Sequence, residues 1–143
     1  MEDNVPSIPL ISILYRQHAK FLNDKLKDEN ISFGLYPLLI KIYRNEGVIQ
    51  EQLAQSFHLN ESTITRNLKK LEENGFIKRI SDKRTKKIEI TENGRKIAQK
   101  FIDLDELWDN KIEDIIGHEE YENFLNSLKK ISEALLKAKE HEI

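Results

Sequence analysis

The side chains best suited to chemistry are crowded into one stretch. Between Arg66 and Lys87 stand nine Lys or Arg and only three Asp or Glu, and a run of hydroxyls, Ser62, Thr63 and Thr65, leads into them. Ammonium and guanidinium groups neutralise phosphates. A guanidinium can also grip guanine with two hydrogen bonds, and a threonine can meet a base edge or a thymine methyl. On that chemistry Ser62 is expected at a phosphate, and Thr63, Thr65 and Arg66 at base edges. Lys69, Lys70, Lys78, Lys83, Arg84, Lys86 and Lys87 are expected along the backbone of a duplex. Arg84 is the expected probe of a narrow minor groove. Asp82 is expected to orient a nearby Arg through a charge-assisted pair rather than to touch DNA. The plainer alternative for each of these residues is a solvated charged face.

A second, sparser set lies upstream. Arg16 and His18 interrupt an apolar stretch, and Tyr36 and Tyr43 follow at a spacing of seven. An Arg beside aromatic rings suits a carboxylate on an aromatic body. The competing account is ordinary: a packed interface histidine, core tyrosines and an Arg paired with an acidic neighbour. Nothing points to catalysis. There is no phosphate-binding glycine loop, no nucleophile elbow and no metal-ligand spacing, and the four histidines are scattered. No cofactor and no metal are expected.

The hydroxyl and basic residues need a scaffold, and the periodicity supplies one. Asn60 is a favoured N-cap. Ile64, Leu68 and Leu71 recur at helical spacing on one side, with the polar residues on the other. Asn74-Gly75 ends that helix. Phe76–Ile80 and Lys87–Thr91 read as strands around a charged loop, Ser81–Lys86. Upstream, Gln50–Phe57 makes a short helix with Leu53, Ala54 and Phe57 inward, and Leu59 is expected to plug the turn at 58–60. The sum is a helix-turn-helix followed by a hairpin: a winged helix.

Two flanking regions complete the chain. A helix is expected from about Ile8 to Asp28, with Ser7 as its cap and apolar residues on two sides. A second helix is expected to start at Ser32, with Pro37 uncomfortably deep in its first turn. Thr91 is the expected cap of a long helix, broken at Gly117-His118 before a last helix to His141. The fold class is therefore mainly α with a small β-hairpin wing. It reads as one unit over residues 1–143, with residues 31–91 as the winged-helix part. Residues 8–28 and 92–141 read as amphipathic helices whose economical burial is against a second copy, giving a twofold homodimer. Two such copies could meet a palindrome at sites about 34 Å apart.

The totals agree with this reading. The chain has 143 residues, 34% charged, with no cysteine, so disulfides and thiolate metal sites are excluded. No apolar run approaches the ~18 residues of a membrane span, and no secretion signal is visible, so a cytoplasmic location is expected. Net charge is −2, yet residues 101–143 carry twelve acidic and five basic residues. The basic stretch is thus a local feature.

Within this order stand Gln52-Leu53-Ala54, Thr63-Ile64-Thr65-Arg66, Leu71-Glu72-x-x-Gly75-Phe76-Ile77-x-Arg79, Asp82-Lys83-Arg84 and Ile90-Thr91-x-x-Gly94. The ordered set closely resembles the MarR family of bacterial and archaeal transcriptional regulators, from about Ile8 onward. Phe33-Gly34-x-Tyr36-Pro37 is similar to a subgroup of them. The resemblance implies a dimeric repressor, less often an activator, on palindromic operators, with release by a small aromatic or anionic compound. It places phenolic acids such as salicylate in the cleft near Arg16, His18, Tyr36 and Tyr43. Three departures stand out. Lys83 replaces the family's usual Arg. The segment between Arg79 and Asp82 is about three residues shorter than the family pattern. Ile49 stands where a Thr or Ser cap is common. A rival reading is a winged helix that binds only another protein, but Lys83, Arg84, Lys86 and Lys87 have no evident use there.

Overall fold

In a computed structural model, residues 1–27, 29, 34–82 and 84–141 are described, the side chains of Asp82, Lys139, Glu140 and His141 excepted. The expected cap at Ser32, residues Asn30 to Phe33, Lys83 and the side chain of Asp82 therefore lie outside the described residues. The chain divides into two compact units, residues 1–104 and 105–143.

The first unit is built around α4 (Glu61–Glu73). The Asn60 side chain accepts the Thr63 N–H at 2.8 Å, which satisfies one of the orphan donors of the first turn. Ile64, Leu68 and Leu71 are fully buried at the predicted helical spacing. Their partners come from α2 (Tyr36–Arg44) and α3 (Gln50–Phe57), where Leu39, Ile42 and Leu53 belong to the same core. Gly75, at φ +78°, takes the left-handed turn that ends the helix, and Phe76 N–H reaches back to Leu71 O at 3.0 Å.

Pro37 is easily accommodated. α2 begins at Tyr36, later than expected, so the proline occupies the second helical position, where its missing N–H leaves no bond unmade. α1 (Ser7–Lys25) starts at Ser7 itself with Pro6 at the cap, and stops three residues before the expected end. Only its last part is anchored: Leu22 and, just beyond the helix, Leu26 enter the core, while Ile8, Ile11 and Tyr15 remain exposed. Leu59 does not plug the helix-turn-helix turn. His58 adopts a left-handed conformation at φ +52°, and the turn leaves Leu59 41% exposed. Phe57 is half-buried rather than fully inward.

The wing is longer than its apolar residues suggested. β1 (Ile77–Asp82) and β2 (Thr85–Ile90) pair antiparallel from Ile77↔Ile90 to Asp82↔Thr85. Only positions 83 and 84 intervene, so most of the predicted charged loop is strand. A solvated hairpin end needs ladder bonds, not apolar side chains, to stay extended. The segment before α3 joins this ladder. Residue 49 forms a bridge with Lys87, and Ile88 N–H donates to Val48 O at 3.2 Å.

Thr91 caps α5 (Glu92–Ile116) as expected, accepting Gly94 N–H on its Oγ1 at 3.0 Å. The same hydroxyl donates to Gly75 O at 2.6 Å, and Thr91 N–H donates to Phe76 O at 3.0 Å. Gly94 is required here. A Cβ on it would overlap the Phe76 carbonyl oxygen and lie 2.7 Å from Ile90 Cγ1. The second unit comprises the later part of α5 and α6 (His118–His141), separated by Gly117 at φ +88°. Near the start of α6, Tyr121 is buried. Leu128, Ile131 and Leu135 are exposed along the rest.

Candidate nucleic-acid interface

One face of α4 is committed to the core, which leaves Ser62, Thr65, Arg66, Lys69 and Lys70 exposed and Thr63 half-buried. Ser62 is not a free donor. Its hydroxyl donates to Asn60 Oδ1 at 2.8 Å, so a phosphate would have to compete for that proton. Arg66 Nη2 makes a long contact with Thr63 Oγ1, 3.4 Å, which leaves most of its donor fork available. Thr65 Oγ1 accepts a 2.7 Å hydrogen bond from Gln50 Nε2.

The wing alternates, and the alternation separates its lysines. Successive side chains on a strand face opposite sides. Lys86 lines the same hollow as Gln50, Glu51, Glu61 and Arg84, next to the start of α4. Lys87 instead lines a hollow with Glu46, Glu89 and Arg95, beside the Arg95–Glu46 ion pair at 3.4 Å. The structure thus brings Arg84 and Lys86 beside Glu61, the first residue of α4, while Lys87 lines the hollow with Glu46 and Arg95. Glu51 and Glu61 make this region less uniformly cationic than the sequence count implied.

Arg79 and Glu72, both in the quoted motif but given no role from sequence, tie the helix to the wing. Glu72 Oε1 accepts from Arg79 Nε and Nη2 at 3.2 and 2.9 Å, and Oε2 accepts Arg79 N–H at 2.9 Å. The guanidinium, followed by the backbone N–H, holds the Glu72 carboxyl below the usual carboxylate range, against a small opposing effect of burial. Arg79 is thereby engaged by protein. The spacing of seven between Glu72 and Arg79 across a helix end and a turn was the signal available.

The second residue set is only partly assembled. His18 and Tyr36 place their rings 6.3 Å apart, and Tyr36 stacks on Phe101 at 4.7 Å. Tyr43 donates its hydroxyl proton to Gln99 Oε1 at 3.1 Å. Arg16 donates to Ser12 Oγ on its own helix at 3.0 Å and is exposed. Among the described residues no cluster of three or more His, Cys, Asp or Glu could hold a metal. Among the described residues no helix is long and apolar enough to cross a membrane.

Known proteins share this arrangement. The family model described as "MarR family" matches residues 33–88. The HTH-type transcriptional regulator BilQ of Clostridium symbiosum is 31% identical over 84% of this chain and 85% of its own. The chain belongs to the MarR family. Another relative is an uncharacterized HTH-type transcriptional regulator, YybA of Bacillus subtilis, which is 38% identical over 61% of this chain. That match spans only 60% of YybA's length. Among solved structures, a MarR-family transcriptional regulator from Listeria monocytogenes complexed with a 26-mer DNA superposes with a TM-score of 0.79. It is 25% identical, covering 96% of this chain and 97% of that one. The protein is a winged-helix, DNA-binding transcriptional regulator of the MarR family. In this MarR protein α3 and α4 form the helix-turn-helix and β1–β2 the wing.

Proposed function

We propose that this MarR-family regulator is a homodimer that recognises a palindromic operator and represses transcription from it. The observation that carries the reading is the unburied polar face of α4, with Arg84 and Lys86 of the wing beside it. Such a helix suits a major groove, and an arginine at the end of the hairpin suits the adjacent minor groove. Thr63, Thr65 and Arg66 read bases, Lys69, Lys70 and Lys86 lie against phosphates, and Ser62 contributes once Asn60 yields its proton. Lys83 and Asp82 keep their expected roles, the first as a phosphate contact and the second orienting an Arg.

Homodimerisation is supported by apolar side chains left in water. Ile8 (69% exposed), Ile11 and Tyr15 on α1, and Ile131 and Leu135 on α6, recur at helical spacing rather than singly. A second copy is the partner that covers them, and twofold symmetry then presents two α4 helices to two half-sites. Release by a small aromatic acid is assigned to the region of His18 and Tyr36, with Tyr43 along the same helix and Arg16 swinging from Ser12 to the carboxylate.

The test is a selection of bound duplexes from a random pool, followed by light scattering of protein with the winner. A palindrome bound by two copies is expected, with affinity falling steeply with salt. A single copy in solution that ignores duplexes at low ionic strength rejects the proposal in favour of a protein-docking winged helix. A thermal-shift screen of aromatic acids tests the ligand. Neither stabilisation nor release of operator from any of them removes it.

A further inference from the structure

Tyrosine aside, Gln50 is the one polar residue buried among the described residues, 6% exposed. It opens α3 and reaches fifteen residues along the chain, where its Nε2 donates to Thr65 Oγ1 at 2.7 Å. A threonine hydroxyl has one proton and two lone pairs. Within a helix that proton commonly turns back onto the carbonyl four residues earlier. Thr65 makes no such bond among the described residues; its hydroxyl accepts from Gln50 and donates to no described protein group. The side chain is exposed on the polar face of α4. One lone pair is occupied from below; the proton and the second lone pair remain, and a hydroxyl that already accepts one bond is polarised to donate the next.

We propose that Gln50 is a positioning residue for base reading, which biases Thr65 towards outward hydrogen-bond donation and makes the protein discriminate against cytosine at the base Thr65 meets. This rests on α4 being the helix in the major groove. Guanine shows N7 and O6 there, adenine N7 and thymine O4, whereas cytosine shows only its N4 amino donor. A hydroxyl biased towards donation finds a partner on three bases and faces a donor on the fourth. A hydroxyl free to rotate could accept from cytosine as readily as it donates to the others. The specificity therefore originates one layer beneath the surface, on a residue of α3 that need not touch DNA.

The test compares half-site selections for the full chain and four variants: Gln50→Met, Thr65→Val, Thr65→Ser and the Gln50→Met/Thr65→Val pair. For the natural chain, cytosine is expected to be disfavoured about three- to tenfold at one position of each half-site, the worth of one hydrogen bond. Thr65→Val keeps the methyl and loses the hydroxyl, so it identifies that position by abolishing the discrimination there. Thr65→Ser should retain it. Gln50→Met should bring cytosine to within about twofold of the other bases at that position alone, with non-specific affinity kept. The pair should add nothing to Thr65→Val.

If Thr65→Val changes no position, the placing of Thr65 at a base is wrong, whatever Gln50 does. If Thr65→Val changes one position and Gln50→Met leaves it intact, the role of Gln50 is overturned. A natural preference for cytosine at that position overturns it too. Should Gln50→Met melt below the assay temperature, Gln50→Asn, whose amide is a methylene too short to reach, takes its place with the same expected outcome.

Discussion

Replacing Gly94 with alanine sets two effects of opposite sign against each other. Alanine is the better helix former, which favours the variant by up to about 1 kcal/mol. Against that stands the base of the wing. The new Cβ would overlap the Phe76 carbonyl oxygen and press within 2.7 Å of Ile90 Cγ1. A backbone carbonyl cannot rotate aside, so the first turn of α5 has to lift. Overpacking of this kind costs roughly 1–3 kcal/mol. Lifting also stretches the three bonds that Thr91 organises, to Gly75 O, Phe76 O and Gly94 N. Each is worth about 1 kcal/mol net. Losing one of them outright makes the expected balance a destabilisation of about 2 kcal/mol. In a chain of 143 residues that lowers Tm by roughly 6 °C. The assay is thermal unfolding followed by circular dichroism, with chain concentration held constant because self-association raises apparent stability. Gly34→Ala is the control, since a Cβ there meets nothing within 4 Å. A Gly94→Ala protein that melts at or above the natural one would show that helix propensity wins, and that the close approach is not a constraint.

The remaining predictions concern the interface. Arg84→Ala should weaken operator binding and reduce the salt slope of log K by about one unit; an unchanged slope in a fluorescence-anisotropy titration removes Arg84 from the groove. Arg66→Ala should relax base preference at one position of each half-site, and a randomised-site selection with the natural preference intact contradicts that. Lys86→Ala should cost more affinity than Lys87→Ala, because the strand sends Lys87 towards Glu46 and Glu89; equal losses at several salt concentrations would count against that division. Glu72→Gln should change the acid limb of stability. The folded carboxyl titrates below its unfolded value, so its contribution is present above about pH 4.3 and is lost as pH falls through the lower folded value. Melting temperature between pH ~6 and ~3 should fall more steeply for the natural chain than for the variant. The difference should stay within about 1 kcal/mol because both side chains are about a third exposed, 29% and 38%. Parallel acid limbs would dismiss the clasp as an energetic feature.

Local signals carried much of this architecture. Asn60 and Thr91 were readable as caps because capping depends on residue type and immediate neighbours. Ile64, Leu68 and Leu71 were readable as core because the helical period is short. The wing extends beyond its apolar residues, since Ser81–Lys86 has the composition of a loop while ladder bonds keep residues 81–82 and 85–86 extended. Leu59 was misplaced because a left-handed histidine, unusual for a residue with a Cβ, sets the direction of the turn. Gln50–Thr65 joins two helices through side chains fifteen residues apart, and no periodicity announces such a pair. For the interface, residue type singles out the cations only as a group, and the hollows they line separate Lys86 from Lys87.

The sideways bonding of residues 48 and 49 to β2 has a mechanical consequence. The hairpin is fastened at its root by Thr91, along its flank by Val48 and across to α4 by Arg79. These ties make it a prong bonded to the elements around it. A signal arriving elsewhere in the protein would not furl that prong independently of the reading helix; it would have to swing the two as one body, so loss of grip should come from misalignment of intact parts.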